Sequence, residues 1–139
     1  MTFIVDSSVA LSWCFEEERT PATTALLQWV GETGAVAPQH WPLEALNGLM
    51  MAERRNRVDA ERRRRLARFL SDLPITLDAE TSVQVWTATQ DLAELHRLTV
   101  YDAAYLELAL RQNLPLASLD GPLRAAGAAR GVPLLGTEV

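Results

Sequence analysis

Five short apolar runs alternate with longer segments that show helical patterns, and this alternation constrains the fold more than any other feature. The apolar runs cover residues 3–5, 35–37, 75–77, 116–119 and 133–135. Caps and apolar spacing predict helices that begin at residue 7 or 8 and after Asp59, and others over residues 21–30, 42–55, 80–96, 101–112 and 122–129. Strands that alternate with helices form mainly parallel sheets. The sequence therefore predicts one α/β domain over residues 1–139, with a mainly parallel central sheet of about five short strands flanked by helices.

Large apolar side chains predict which helix faces pack against the rest of the protein. In the helix over residues 42–55 they are Leu43, Leu46, Leu49 and Met50. In the helix over residues 80–96 they are Val83, Val85, Trp86, Leu92 and Ala93. We also expect the four tryptophans to pack in the core or at an interface, because the indole ring is large and mostly apolar.

Composition favours a cytoplasmic protein. No apolar run approaches the length of a membrane span, and the N-terminus lacks the basic region of a signal peptide. Cys14 is the only cysteine, so the chain cannot form an internal disulfide. We therefore expect neither export nor membrane binding.

Charge is distributed unevenly along the chain. The formal net charge is −5, but residues 53–68 hold eight Arg and three acids, a local excess of +5. The remaining residues hold five Arg and fifteen acids, a balance of −10, and the chain has no lysine. Pairs at i,i+4 spacing, Asp59–Arg63 and Glu61–Arg65, are typical of a solvated helix face. The uncompensated charge equally favours a surface that contacts phosphates. The candidates for nucleic-acid contact are Arg54, Arg55, Arg57, Arg63 and Arg64.

Four acids occupy positions where a site could form. Asp6 and Asp120 follow apolar strands, and ligands of parallel sheets collect at the carboxyl ends of strands. Glu44 and Asp102 lie in the first turns of predicted helices. Each acid also has a structural interpretation: Asp6 as a helix N-cap, Asp102 as part of a capping box, Asp120 as a turn residue and Glu44 as a solvated side chain. Spacing alone leaves both interpretations open.

Four segments carry a resemblance to a known family. Residues 3–11 (FIVDSSVAL) are an apolar strand, an acid and a small polar pair, and residues 42–47 (PLEALN) place an acid early in a helix. Residues 98–110 (LTVYDAAYLELAL) place Asp before a run of small residues, and residues 116–135 lead from a strand, Ser and Asp through a short helix to a final strand. In this order and at this spacing they resemble the acidic motifs of PIN-domain nucleases, and most of all the VapC-type toxins, which are the ribonuclease half of toxin–antitoxin pairs.

The resemblance implies a site, an activity and partners. The four matching acids take the role of catalytic, metal-binding residues: Asp6, Glu44, Asp102 and Asp120. Ser8 and Ser118 correspond to groups that orient carboxylates or water. The implied activity is an endoribonuclease that uses Mg²⁺, with Mn²⁺ as a substitute, and leaves 5′-phosphate and 3′-hydroxyl ends. The resemblance also implies an antitoxin whose C-terminal segment enters the crevice, and a homodimer.

Other functions fit the residues less well. A phosphorylated receiver domain and a haloacid-dehalogenase-like phosphatase both cluster acids at strand ends, but both require a lysine that this chain lacks. His40 and His96 have no metal-ligand spacing with each other or with Cys14, and we interpret His40 as a packed or capping residue. A PIN module without catalytic activity, which binds RNA or a protein partner, remains the alternative to the nuclease.

Overall fold

The computed structural model describes residues 2–137 and contains one five-stranded sheet in which all neighbouring strands are parallel. The strands are β1 (Ile4–Val5), β2 (Ala35–Ala37), β3 (Ile75–Leu77), β4 (Leu116–Ala117) and β5 (Leu134–Leu135), in the order β3-β2-β1-β4-β5. The predicted α/β class and parallel sheet are confirmed. Strand β4 ends two residues earlier than predicted, because Ser118 to Asp120 form the turn into the next helix.

Helices connect the strands. They are α1 (Ser7–Ser12), α2 (Pro21–Thr33), α3 (Trp41–Arg54), α4 (Ala60–Asp72), α5 (Thr81–Gln84), α6 (Gln90–His96), α7 (Val100–Gln112) and α8 (Gly121–Ala129). A π-helical turn, Val85–Thr89, joins α5 to α6. Helix α2 extends three residues beyond its predicted end, to Thr33. It is followed by Gly34, whose φ of 73° lies in the left-handed region that glycine tolerates.

The strand order creates a crevice beside the central strand. The chain adds β2 and then β3 on one side of β1, and then returns to add β4 and β5 on the other side. Connections leave β1 and β4 in opposite directions, and this topological switch point is where parallel sheets bind ligands. The segments that follow β1 and β4 therefore border the same crevice.

The core surrounds β1, its neighbour β4 and helix α7. Phe3, Ile4 and Val5 are completely buried, and so are Leu116 and Ala117. Helix α7 is buried at every position from residue 103 to residue 109, as expected for a helix covered on all sides. Within residues 2–137, no helix is long and apolar enough to cross a lipid bilayer.

The predicted inner face of α3 is only partly correct. Leu49 is buried, but Leu43 is 74% exposed and Leu46 is also exposed. The inner face is instead formed by Trp41, Ala45, Leu49 and Ala52. Small alanines allow α3 to lie close to α1, so the larger leucines point outward.

The predicted apolar face of residues 80–96 is wrong for Val83 and Trp86. Leu92 is buried and Ala93 partly buried, but Trp86 is 78% exposed and Val83 is also exposed. The π-helical turn contains an extra residue, so positions on its two sides do not share one regular helical face. Among the tryptophans, Trp13 and Trp41 are buried and Trp29 packs against Phe3, whereas Trp86 lies outside the core.

A buried ion-pair cluster attaches α7 to the end of β3. The Arg111 guanidinium donates to Asp78 at 2.6 and 3.2 Å and to Glu107 at 2.7 and 3.0 Å. Both carboxylates are almost completely buried. The cluster thus fixes the position of the helix that carries Asp102.

Candidate active site

Asp6 lies at the centre of the crevice and is held by three hydrogen bonds. Its Oδ1 accepts from the Ser8 hydroxyl at 2.6 Å and from the Val9 backbone N–H at 3.1 Å. Its Oδ2 accepts from the Ser118 hydroxyl at 2.5 Å. A carboxylate has about four lone-pair positions, so these bonds leave about one free, on Oδ2. The predicted N-cap is confirmed, and the cap is compatible with a further ligand.

The two serines that contact Asp6 also connect β1 to β4. Ser8 Oγ accepts from the Leu119 backbone N–H at 2.9 Å, and Ser118 Oγ accepts from the Asp120 N–H at 3.0 Å. Asp120 in turn caps α8, because its Oδ2 accepts from the Leu123 N–H at 3.0 Å. Each hydroxyl therefore donates to Asp6 and accepts from the turn after β4, which fixes the geometry between the two turns.

Burial dominates the electrostatics of Asp6. The side chain is 4% exposed, and desolvation raises its pKa to about 6. The bonds from Ser118, Ser8 and Val9 favour the ionised form and oppose this shift, while the negative charge of Asp102 adds to it. Asp6 and Asp102 are therefore close enough to repel each other.

Asp102 connects the other acids to this centre. It lies in the first turn of α7, which Thr99 caps: the Asp102 N–H donates to Thr99 Oγ1 at 3.1 Å. Burial raises the pKa of Asp102, and the charges of Asp120 and Glu44 raise it further. Asp102 therefore lies within electrostatic reach of each of the other three predicted acids.

Glu44 has two neighbours that the sequence analysis missed. The Tyr105 hydroxyl donates to Glu44 Oε1 at 2.6 Å, and His40 Nε2 lies 3.6 Å from the same oxygen. His40 Nε2 also lies 3.1 Å from the Tyr101 carbonyl oxygen. His40 is packed, in contact with both tyrosine rings, but its side chain does not cap α3. Tyr105 could have been found from its position three residues after Asp102, which places both on one face of α7.

The donor set fits a hard divalent cation in its chemistry. All four candidates are carboxylates, whose oxygens Mg²⁺ and Mn²⁺ prefer, and a cation offsets the repulsion that raises the pKa of Asp102. Among the side chains of residues 2–137, no three His, Cys, Asp or Glu already stand in a geometry that could hold a metal ion. Binding a cation would therefore require small movements of the acids.

The candidate arginines divide into paired and unpaired side chains. Arg57 contacts Glu17 at 2.6 Å and Glu18 at 2.7 Å, with its guanidinium 4.2 Å from the centre of the Phe15 ring. Arg63 pairs with Glu53 at 2.9 Å. The predicted Asp59–Arg63 pair is wrong, because the Asp59 carboxylate caps α4 instead.

The other members of the basic segment are more exposed. The predicted Glu61–Arg65 pair is confirmed at 2.8 Å. Among the described residues, the Arg54 guanidinium contacts only the Met51 sulfur, at 3.8 Å. Arg55 and Arg64 are exposed, and their guanidinium groups have no ion pair or hydrogen bond to any residue in the range 2–137. These two therefore remain the most accessible candidates for phosphate contact.

The family of the chain is shown by its match to the PIN domain model. The match covers residues 3–128, and the chain belongs to the PIN domain family. The fold agrees with the resemblance found in the sequence. A sequence search among curated proteins found no match.

Solved structures with the same fold extend over nearly the whole chain. PAE2754 from Pyrobaculum aerophilum is 22% identical with a TM-score of 0.67, over 91% of this chain and 84% of that one. VapBC2 from Rickettsia felis, bound to a DNA fragment from its promoter, is 13% identical with a TM-score of 0.65, over 99% and 100%. VapC20 from Mycobacterium tuberculosis, a sarcin-ricin loop cleaving toxin, is 14% identical with a TM-score of 0.59, over 91% and 95%. At these identities the similarity supports the fold alone.

Proposed function

We propose that this chain, over residues 1–139, is a metal-dependent endoribonuclease and the toxin of a toxin–antitoxin pair. The observation that carries the proposal is the mutual repulsion of the acids. Beyond the effect of burial, Asp120 and Glu44 raise the pKa of Asp102, and Asp102 raises the pKa of Asp6. A divalent cation bound among carboxylates offsets this repulsion, because it interacts with their ionised oxygens.

The residues would divide the work as follows. Asp6, Glu44, Asp102 and Asp120 would hold Mg²⁺, or Mn²⁺ in its place. When bound, the cation would lower the pKa of water and neutralise charge at the scissile phosphate. Ser8 and Ser118 hold Asp6 through both of its oxygens, so this ligand is oriented before any cation arrives.

The products follow from the bond that breaks. Water adds its oxygen to phosphorus, the P–O3′ bond breaks, and the 3′ oxygen leaves with a proton. The reaction therefore gives a 5′-phosphate and a 3′-hydroxyl and does not use the 2′-hydroxyl as nucleophile. Selection of RNA must then come from contacts outside the four acids. Among the predicted arginines, the accessible candidates are Arg54, Arg55 and Arg64. The other two, Arg57 and Arg63, are already paired with acids.

The proposed partners are a cognate antitoxin, an RNA substrate and a second copy of the chain, in the cytoplasm. Support for the toxin role comes from the PIN domain match and from the similarity to VapC20, a toxin that cleaves the sarcin-ricin loop, and to VapBC2. We expect the antitoxin to block cleavage when it is added in equimolar amount.

The test is cleavage of a mixed pool of structured and single-stranded RNAs by antitoxin-free protein. Mg²⁺ or Mn²⁺ is compared with EDTA, and Asp6→Asn is compared with Asp72→Asn, a matched change of an exposed carboxylate at the end of α4. Asn can still cap α1, so Asp6→Asn is expected to fold.

We expect metal-dependent 5′-phosphate ends from the wild type and from Asp72→Asn, and none from Asp6→Asn. Equal cleavage by the Asp6→Asn variant would overturn the proposed site. If the metal-loaded wild type binds RNA or antitoxin but cleaves no RNA in the pool, the chain is a PIN module without catalytic activity.

A further inference from the structure

Tyr105 is a buried hydroxyl whose partner is one of the candidate metal ligands. The residue is 1% exposed and lies on α7, three residues after Asp102. Its hydroxyl donates to Glu44 Oε1 on α3, at 2.6 Å, across 61 residues of sequence. The bond therefore joins two helices that each contribute an acid to the site.

The surroundings of Tyr105 keep its hydroxyl a proton donor. Burial raises the pKa of the phenol, and the negative charges of Glu44 and Asp6 raise it further. A buried tyrosine hydroxyl usually finds a hydrogen-bond partner, and here that partner is the Glu44 carboxylate.

Glu44 has the longest side chain of the four acids. Asp6 is held by three hydrogen bonds and Asp120 by its cap bond to Leu123. The Glu44 side chain is longer and 27% exposed, and its one close hydrogen-bond donor is the Tyr105 hydroxyl, with His40 farther away at 3.6 Å. A longer side chain loses more rotamer freedom when it is fixed, so a donor that fixes it in advance favours ligand binding.

We infer that Tyr105 is a positioning residue that holds the Glu44 carboxylate in place for a divalent cation. The inference rests on the proposed function, because Glu44 must be a ligand for its position to matter. Oε1 bonds to Tyr105, and the second oxygen remains available to the cation. Groups that orient a ligand in this way typically contribute about 10- to 100-fold to metal affinity.

The experiment is calorimetric titration of the metal-free protein with Mn²⁺, with no RNA present. Tyr105→Phe removes the hydroxyl and keeps the buried ring, and we expect it to weaken Mn²⁺ binding about 10- to 100-fold. Tyr101→Phe is the matched control, because it removes the exposed hydroxyl of the only other tyrosine, on the same helix. We expect it to leave the affinity unchanged. Glu44→Ala supplies a background in which Tyr105→Phe should have no further effect on Mn²⁺ affinity.

The outcomes separate this inference from the proposed function. If the wild type binds no Mn²⁺, the metal-nuclease proposal fails and the inference fails with it. If the wild type and Tyr105→Phe bind Mn²⁺ equally, the inference alone is overturned. The inference is also overturned if Tyr105→Phe weakens Mn²⁺ binding as much in the Glu44→Ala background as in the wild type. In that case the hydroxyl acts on the fold and not on Glu44.

A second measurement needs no variant of Tyr105. In a crystal structure of the wild type with Mn²⁺, we expect the Tyr105–Glu44 bond to persist while the other Glu44 oxygen faces the cation. Rotation of Glu44 away from Tyr105 in that structure would refute the positioning role.

Discussion

Arg111 compensates two buried carboxylates, and its removal gives a sharp prediction about stability. The side chains of Asp78 and Glu107 are 6% and 5% exposed, and Arg111 forms two hydrogen bonds to each. Arg111→Met keeps much of the side-chain volume but leaves two uncompensated negative charges. Removing one partner of a buried ion pair costs about 3–5 kcal/mol. Because Arg111 itself is 23% exposed and water can reach part of the cluster, we expect the lower part of that range, about 3 kcal/mol.

The assay is urea unfolding followed by far-ultraviolet circular dichroism at pH 7. A loss of about 3 kcal/mol is a large part of the 5–15 kcal/mol typical of a domain, and it corresponds to a decrease in Tm of about 10 °C for a chain of this length. The control is Arg65→Met, which breaks the exposed Glu61–Arg65 pair and should change the free energy of unfolding little. Adding Asp78→Asn to Arg111→Met should recover part of the loss, because a neutral amide replaces an uncompensated charge.

The pH dependence has a defined sign. Burial by itself would raise the pKa of Asp78, but hydrogen bonds from Arg111, the Glu80 backbone and Thr81, together with the Arg111 charge, hold that pKa below its ordinary value. The stabilisation from Asp78 is thus fully present above the unfolded pKa of about 3.9 and is lost as the pH falls through the lower folded value. In Arg111→Met burial dominates, so the Asp78 carboxyl binds a proton at higher pH than in the wild type. The difference in the free energy of unfolding between the variant and the wild type therefore narrows as the pH falls from 7 to 4. If Arg111→Met lowers the free energy of unfolding by less than about 1 kcal/mol at pH 7, the cluster is solvated and the reasoning is incorrect. A difference from the wild type that does not change with pH would show the same.

Two further predictions concern the site and the basic segment. Ser118→Ala removes one of the three hydrogen bonds to Asp6 and the acceptor of the Asp120 N–H. We expect calorimetry to show about 10- to 100-fold weaker Mn²⁺ binding, with the fold retained by circular dichroism. Unchanged Mn²⁺ affinity would contradict the role of Ser118. The double change Arg55→Gln and Arg64→Gln should weaken RNA binding and reduce the slope of log K against log salt by about 1.4, since each phosphate contact with a single strand contributes about 0.7. Arg57→Gln, whose guanidinium is already paired with two acids, should leave that slope unchanged, and an equal change in both variants would refute the distinction.

Local signals in the sequence were sufficient to predict the sheet and the caps. An apolar run followed by a capping residue determines where a strand ends and a helix begins, whatever the rest of the chain does. Asp6, Thr20 and Asp59 cap helices in the structure as predicted, and the five strands lie at the apolar runs. Asp120, which was predicted as a turn residue, also caps a helix. These features depend on neighbouring residues, and a single sequence contains that information.

Features that depend on packing between helices could not be predicted in this way. Two alanines, Ala45 and Ala52, belong to the inner face of α3, whereas Leu43 and Leu46 do not, and nothing within residues 42–55 indicates how close α1 lies. The π-helical turn that exposes Trp86 similarly has no local sequence signature. The size of an apolar side chain alone did not predict which helix face is buried where two helix backbones lie close together, because small residues fit there.

The site shows the same division between local and distant information. The sequence motifs identified the acids, but the bonds that orient them join residues far apart in the chain. Ser118 and Asp6 are 112 residues apart, and Tyr105 and Glu44 are 61 residues apart. Only the strand order, which places the ends of β1 and β4 side by side, brings the first pair together.

The structural and functional interpretations of the capping acids are compatible, because a carboxylate has two oxygens. Asp120 uses Oδ2 for its cap bond to Leu123, which leaves Oδ1 without a hydrogen bond to any residue between 2 and 137. Asp6 accepts its cap bond and one serine on Oδ1, and Oδ2 accepts the other serine. The cap fixes the carboxylate at the first turn of a helix, where the positive end of the helix dipole also favours its ionised form. Capping therefore supplies what a metal ligand needs, a charged and oriented oxygen at the carboxyl end of a strand, and finding a cap at such a position does not weigh against a catalytic role.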